Sequence, residues 1–246
     1  MNALVLGGGA NDKLAAESRL LTKGLIYIAG RPMAHWVMEA IRGAGFDRVA
    51  FVGPRFRLEP EPDFWVPDTG DLIQNVEAGL EVLGSEDRVL ISTIDIPLVT
   101  PEIVRGFLKL DPGADLVYPI IPREEVEAKY PGARRTYVRL REGVYTGGNM
   151  VILDPAKAER MLRAARRVVA FRKNPLALAM LFGPGVLLKL LLGRLSVAEL
   201  EARVSRILEV SARAVVVPYP EIGMDVDKPE DVELVAQILF RRSEGA

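Results

Sequence analysis

The 246-residue chain carries 32 basic and 33 acidic residues, a formal net charge of −1, so no global field directs it to nucleic acid or to an anionic membrane. It has no cysteine and one histidine, which excludes disulfides and Cys- or His-rich metal sites and leaves oxygen ligands, the set suited to magnesium or a similar hard ion. The length fits one α/β domain with a sizeable core. The opening residues are not a basic-then-apolar leader, so a cytoplasmic protein is expected.

Ala3 to Leu6 is brief, aliphatic and followed by glycine, which predicts a buried strand. Gly7, Gly8 and Gly9 then remove every Cβ, so backbone amides can approach a ligand and form an anion-binding concavity, with Lys13 and Lys23 supplying positive charge. That combination suits a polyphosphate, although a tight strand-to-helix turn would have the same letters. It is neither a P-loop, because no Gly-Lys-Ser/Thr occurs, nor the dinucleotide fingerprint, because Asp12 stands where the third glycine belongs. Pro32 to Arg42 predicts a helix through Met33, Trp36, Val37, Ala40 and Ile41, with Gly43 and Gly45 at its end; His35 on it reads as a surface or packing residue. Asp47 to Gly53 predicts the second strand. Pro54 to Thr69, with Pro54, Pro60, Pro62 and Pro67, reads as irregular, and Asp71 to Leu83 returns to helical spacing, with Gly79 on it suited to close packing.

Arg88 to Thr93 predicts a third strand, and Asp95 leaves it. Ligands of open α/β sheets sit at the carboxyl ends of strands, and an acid leaving a buried strand is costly unless paired or bound to an ion. The bland alternative is a turn at Asp95, and Thr100 reads as the cap of a helix from Pro101. Asp115 to Ile121 is a fourth strand. Pro122 to Arg135 reads as a solvated helix or loop, with Arg134 and Arg135 on the solvated face and contact with an acceptor phosphate as the rival role. Tyr137 to Leu140 predicts an edge strand, and Gly147-Gly148 precede another, either as a bulge or close crossing or as the lining of a site. Residues 155–208 read as helical. The 175–195 stretch is about long enough to span a bilayer, but Gly183-Pro184-Gly185 and Lys189 interrupt it. That favours burial or a subunit contact over stable insertion and leaves membrane-surface docking as a minor alternative. Ser196 to Ile207 is amphipathic, with Ser196 or Glu199 suited to its start. Ala214 to Val217 predicts the last strand and Val232 to Phe240 the last helix. Between them Asp225 and Asp227, two apart on an extended segment, face the same side.

In order, these segments resemble the sugar-phosphate and molybdenum-cofactor nucleotidyltransferases, the MobA-like NTP transferase family. The opening pattern L-A-G-G-x-G-x-R-M, then P-K, then G-x-P is met here by Leu6-Gly7-Gly8-Gly9-Ala10-Asn11-Asp12-Lys13-Leu14, Thr22-Lys23 and Gly30-Arg31-Pro32. Asn11 replaces a glycine, Lys13 an arginine and Thr22 a proline. Gly70 to Leu80 is similar to G-x-x-x-S-L-x-x-G-L, with Asn75 in the serine's place. Asp95 to Glu102 resembles D-x-P-L-x-x-P-E, Thr146-Gly147-Gly148 resembles T-G-G, and Asp225 to Asp231 resembles D-x-D-T-P-E-D with Lys228 for threonine. The helical block at about 156–210 is not covered.

The resemblance implies an α/β, three-layer, Rossmann-like nucleotide-diphospho-sugar transferase (GT-A-like) fold with a mixed, mainly parallel sheet. It implies a single domain, 1–246, with a helical insertion at about 156–210. The implied chemistry is magnesium-dependent transfer of a nucleoside monophosphate from an NTP to a phosphorylated or similar small-molecule acceptor, with release of pyrophosphate. Lys13, Lys23, Asp95 and Asp227 are the expected catalytic residues. Leu6, Gly7, Gly8, Gly9, Asn11, Lys13, Lys23, Asn75, Asp95 and Gly148 are the expected nucleotide contacts. Asp95 and Asp227 are the expected Mg2+ ligands, with Asp225 as helper. The expected partners are the NTP and the acceptor, without nucleic acid, and with a homodimer contact through the apolar 175–195 helices. Two rivals stand beside this reading. A glycosyltransferase of the same fold usually carries a D-x-D mid-chain, whereas the only one here, Asp225-Val226-Asp227, lies near the C-terminus. The departures at positions 11, 13 and 22 also admit a non-catalytic nucleotide-binding protein.

Overall fold

The computed structural model describes residues 1–8, 13–171 and 181–244. Strand β1 (Asn2–Leu6) is flanked in parallel by β4 (Val49–Val52) and β6 (Val89–Thr93), with Ala3 opposite both Val49 and Leu90. A two-strand hairpin, β2 (Tyr27–Ile28) and β3 (Arg31–Pro32), lies apart from this sheet. The remaining strands are β5 (Phe64–Val66), β7 (Leu116–Pro122), β8 (Val138–Arg139), β9 (Val144–Gly147), β10 (Met150–Leu153) and β11 (Ala212–Val216). Among the described residues the main sheet runs β5-β4-β1-β6-β10-β7-β9-β8, with β11 also on β7. Only β9 and β10 oppose the common direction, so the sheet is mixed and mostly parallel.

Period-two alternation makes both faces apolar. Ala3, Val5, Val49, Phe51 and Leu90 face one core, while Leu4, Ala50, Val52 and Ile91 face another. The first core is closed by α2 (Met33–Ala44), α4 (Pro101–Lys109) and the C-terminal α9 (Pro229–Glu244). The second is closed by α3 (Leu72–Leu83), α6 (Ala158–Phe171) and α8 (Val197–Leu208). Among the described residues there are also two short helices, α1 (Lys13–Glu17) and α5 (Arg123–Lys129), and the apolar α7 (Pro184–Leu191). Gly79 of α3 is required by packing: a Cβ there would come 2.3 Å from Leu4 Cδ1.

The expected helix starts are present. Thr100 accepts from the Ile103 amide at the head of α4, Asp71 from the Gln74 amide at the head of α3, and Ser196 and Glu199 form a reciprocal capping box on α8. Such caps are worth about 1 kcal/mol each. One stretch read as irregular is corrected: Phe64–Val66 forms an edge strand beside β4. There its prolines leave three residues free to pair, and Trp65 stacks edge-on against Phe51 and Phe56. Gly147 is the last residue of β9, and Gly148 starts the short turn into β10. Of the 175–195 stretch, residues up to 180 lie outside the described residues, while Leu188, Leu191 and Leu192 are exposed on and after α7. Among the described residues no helix is long and apolar enough to cross a membrane.

Candidate active site

The carboxyl ends of β1 and β6 build the site. The Gly7 amide donates to Val52 O at 2.7 Å and the Ile94 amide to Leu6 O at 3.1 Å, which pins the exit of β1 between its two neighbours. The Thr22 hydroxyl donates to Gly7 O at 2.7 Å and accepts from the Gly24 amide, starting a single helical turn at Lys23. Thus the threonine standing in the pattern's proline position ties Lys23 to the strand exit by a hydrogen bond. The glycines are required by what faces them: a Cβ on Gly7 would lie 2.1 Å from Phe51 Cζ, and one on Gly8 2.5 Å from the Asp68 carboxyl carbon.

Lys23 Nζ lies 2.5 Å from Asp95 Oδ2 and 2.8 Å from Asp227 Oδ1. Asp95 is buried at the end of β6, where its Oδ1 accepts from the Thr93 hydroxyl and its backbone carbonyl accepts from the Val226 amide at 2.8 Å. That last bond docks the 225–227 segment onto β6. Asp225 then pairs with Arg135, and carboxylate oxygens of Asp95, Asp225 and Asp227 all lie within 4.8 Å of one another. Asp227 is not the cap of α9. Asp231 accepts from the Asp227 and Lys228 amides at 3.1 and 3.0 Å, leaving the Asp227 carboxylate for Lys23.

The charges respond to one another. Burial, together with the negative charges of Asp95 and Asp227, raises Asp225 to a pKa of about 6 against the opposing pull of Arg135. For Asp227 partial burial acts upward, but the hydrogen bond and charge of Lys23 outweigh it and hold the carboxyl below its usual value. Burial opposes the Lys23 charge, yet Asp95 first and Asp227 next keep the ammonium firmly protonated. Three carboxylates against the two cations Lys23 and Arg135 leave one net negative charge at the cluster. The donor set fits a hard divalent cation: it is all oxygen and convergent, and two of its members, Asp95 and Asp227, already hold a cation, the Lys23 ammonium.

Asn75, buried in α3, accepts from the Thr69 amide and hydroxyl at 2.9 and 2.8 Å and donates to Asp68 at 2.6 Å. It holds the loop that sets Asp68 over Gly8. Lys13 is exposed at the head of α1. Gly148 donates to Pro119 O at 3.1 Å, and a Cβ there would lie 2.7 Å from Ile222, so this glycine permits a close backbone crossing. Gly9 and Asn11 lie outside the described residues. Arg135 corrects the expectation of a solvated face: it is largely buried against Asp225. With Arg134, Thr136, Thr146 and Asp227 it lines a cleft of about 670 Å³. A second cleft of about 400 Å³ opens at the ends of β4 and β5, lined by Gly53, Arg55, Trp65 and Asp68. Neither Arg135 nor Asp68 carried a sequence signal beyond its charge.

Residues 3–213 match the family model of the MobA-like NTP transferase domain. The chain belongs to this family. A hypothetical transferase from Thermus thermophilus shares 50% identity with this MobA-like chain and superimposes with a TM-score of 0.89, over 94% of this chain and 99% of the other. A nucleotidyl transferase from Methanothermobacter, 16% identical, aligns with a TM-score of 0.59 over 98% of each chain and shares the nucleotide-diphospho-sugar transferase fold. The bifunctional protein GlmU of Geobacter metallireducens is 30% identical over 118 residues, 43% of this chain; the match spans about a quarter (24%) of that relative's length.

Proposed function

We propose that this MobA-like domain transfers a nucleoside monophosphate from an NTP to an oxygen nucleophile, most simply the phosphate of a small acceptor, in a divalent-ion-dependent reaction. The observation that carries this reading is the clustering of the Asp95, Asp225 and Asp227 carboxylates, with Lys23 bridging Asp95 and Asp227, at the glycine-lined exit of β1. The acceptor oxygen attacks the α-phosphorus, the bond from that phosphorus to the β-phosphate bridging oxygen breaks, and pyrophosphate leaves with both bonding electrons. Such chemistry needs positioning and charge neutralisation more than covalent help from the protein. Asp95 and Asp227, with Asp225 beside them, would hold magnesium, which when bound neutralises phosphate oxygens. Lys23 turns from the carboxylates to the α-phosphate as negative charge gathers there, and Lys13 adds charge along the triphosphate. Leu6, Gly7 and Gly8 form the phosphate- and base-facing edge, and Asn75 fixes its far wall; Gly9 and Asn11, outside the described residues, are the remaining expected nucleotide contacts.

The test is a thermal-shift panel of the four common NTPs, each with magnesium and with EDTA, followed by pyrophosphate release with candidate acceptor phosphates. One NTP is expected to raise the melting temperature only with magnesium, by mass action on the folded state. Equal shifts with EDTA, or a shift confined to nucleotide-sugars, would reject the proposal.

A further inference from the structure

Helix α8 lies beside β11. Its polar contacts tie it to β11: the Ala214 amide donates to Glu201 Oε1 at 2.7 Å, and the Ala212 amide to Ser205 Oγ at 2.9 Å. Its apolar side, Val197, Leu200 and Val204, faces β7, β8 and β9 across a cleft of about 370 Å³ lined also by Tyr118, Ile120 and Leu140. The sheet is low beneath it because Ala212, Ala214 and Gly147 present little or no side chain there. Tyr118 leans across that gap, so a Cβ on Gly147 would lie 2.0 Å from its hydroxyl oxygen. The cleft is open to solvent and its lining is mostly apolar, and its volume of about 370 Å³ lies in the range of about 300–1,000 Å³ for small-molecule sites. A ligand with a hydrocarbon chain is what such a lining binds.

The cleft adjoins the reaction site. Thr146 of β9 lines both it and the larger cleft that holds Arg135, Asp225 and Asp227, so β9, which lies directly inside the edge strand β8, is the wall they share. Asp225 also acts on the Tyr118 hydroxyl, which burial and that carboxylate together push above the usual tyrosine value. A molecule passing over β8 and β9 would have the carboxylate cluster at one end and the α8 cleft at the other.

Resting on the transferase reading above, we propose that the acceptor is an amphiphile: a phosphate head placed beside Arg135 and Thr146, and an apolar chain lying in the cleft between α8 and strands β7, β9 and β11. Its phosphate oxygen forms the new bond to the α-phosphorus, pyrophosphate departs, and the product is a nucleoside diphosphate esterified to the apolar chain.

The experiment measures binding of ethyl, hexyl and decyl phosphate to the full chain by calorimetry, below the micelle concentration, in wild type and in two cleft-filling variants, Ala214→Phe and Leu200→Trp. Decyl phosphate is expected to bind wild type at least tenfold more tightly than ethyl phosphate, and either filling variant that folds is expected to abolish that chain-length dependence while leaving the magnesium-dependent NTP thermal shift in place. Equal affinities for the three phosphates in wild type, or a chain-length dependence untouched by filling, would overturn the proposal. Failure of the transferase reading registers separately, as absence of the NTP shift. A parallel arm presents a long-chain lipid phosphate in phosphatidylcholine vesicles: pyrophosphate release from vesicles assigns a bilayer source, and release only with the monomeric alkyl phosphate assigns a soluble one.

Discussion

Replacing Lys23 by methionine should tighten binding of a divalent ion to the nucleotide-free protein while abolishing nucleotidyl transfer. The ammonium sits 2.5 and 2.8 Å from carboxylate oxygens of Asp95 and Asp227, and its side chain is only 14% exposed. At an effective dielectric of about 20, unit charges roughly 2.8 Å apart interact by about 6 kcal/mol before desolvation is counted, so an entering ion must displace an interaction of that order. Methionine keeps the stem's volume and removes the competitor. After desolvation and carboxylate repulsion are set against the gross figure, the net gain should be about 1.4–2.8 kcal/mol, a tenfold to hundredfold fall in Kd. The assay is Mn2+ titration followed by electron paramagnetic resonance without nucleotide, with circular dichroism to establish folding. The metal-free variant should also melt lower than wild type, because paired carboxylates lose their partner, and saturating Mg2+ should restore the difference. Unchanged or weaker Mn2+ binding in a folded variant would refute the idea that Lys23 occupies the cation's place.

Asp225→Asn should stabilise the metal-free protein above pH 6. A carboxyl raised from its unfolded value of 3.8 to about 6 binds more protons folded than unfolded between those values, so stability falls as pH rises through that window, by up to roughly 3 kcal/mol; urea unfolding in EDTA from pH 4 to 7.5 should show this slope in wild type and its loss in the variant. Asn75→Ala removes a buried amide and leaves the Thr69 amide without its acceptor, which should cost about 1–3 kcal/mol and weaken NTP binding by loosening the Asp68 loop, measured by urea midpoint and calorimetry. Gly7→Ala drives a methyl into the Phe51 ring and should cost about 1–3 kcal/mol by overpacking; a thermal midpoint equal to wild type would contradict the contact.

What could be read from the residues is what local chemistry dictates. Leu4 and Val5, or Ala50 and Phe51, alternate between two cores, and that alternation marks strands before any tertiary contact is known. Thr100 and Ser196 announce helix starts because their hydroxyls have few better partners. Asp95 stood out because an acid leaving a buried strand is costly unless paired or bound to an ion, and Asp225 and Asp227 through the closing motif of the resemblance and their two-residue spacing. Other features depend on distant partners. Arg135 lies in a run of charges, and only the fold brings Asp225 to it. β5 is three residues among prolines and pairs because β4 offers an open edge. The α8 cleft comes from where Glu201 and Ser205 anchor the helix, a distance no periodicity encodes.

The most direct test of the central claim is calorimetric titration of the preferred NTP into wild type and into Asp95→Asn/Asp227→Asn, with magnesium and with EDTA. A transferase site centred on these carboxylates predicts tight binding to wild type only with magnesium, and weak, magnesium-independent binding to the double variant. Equal affinities in all four titrations would contradict it.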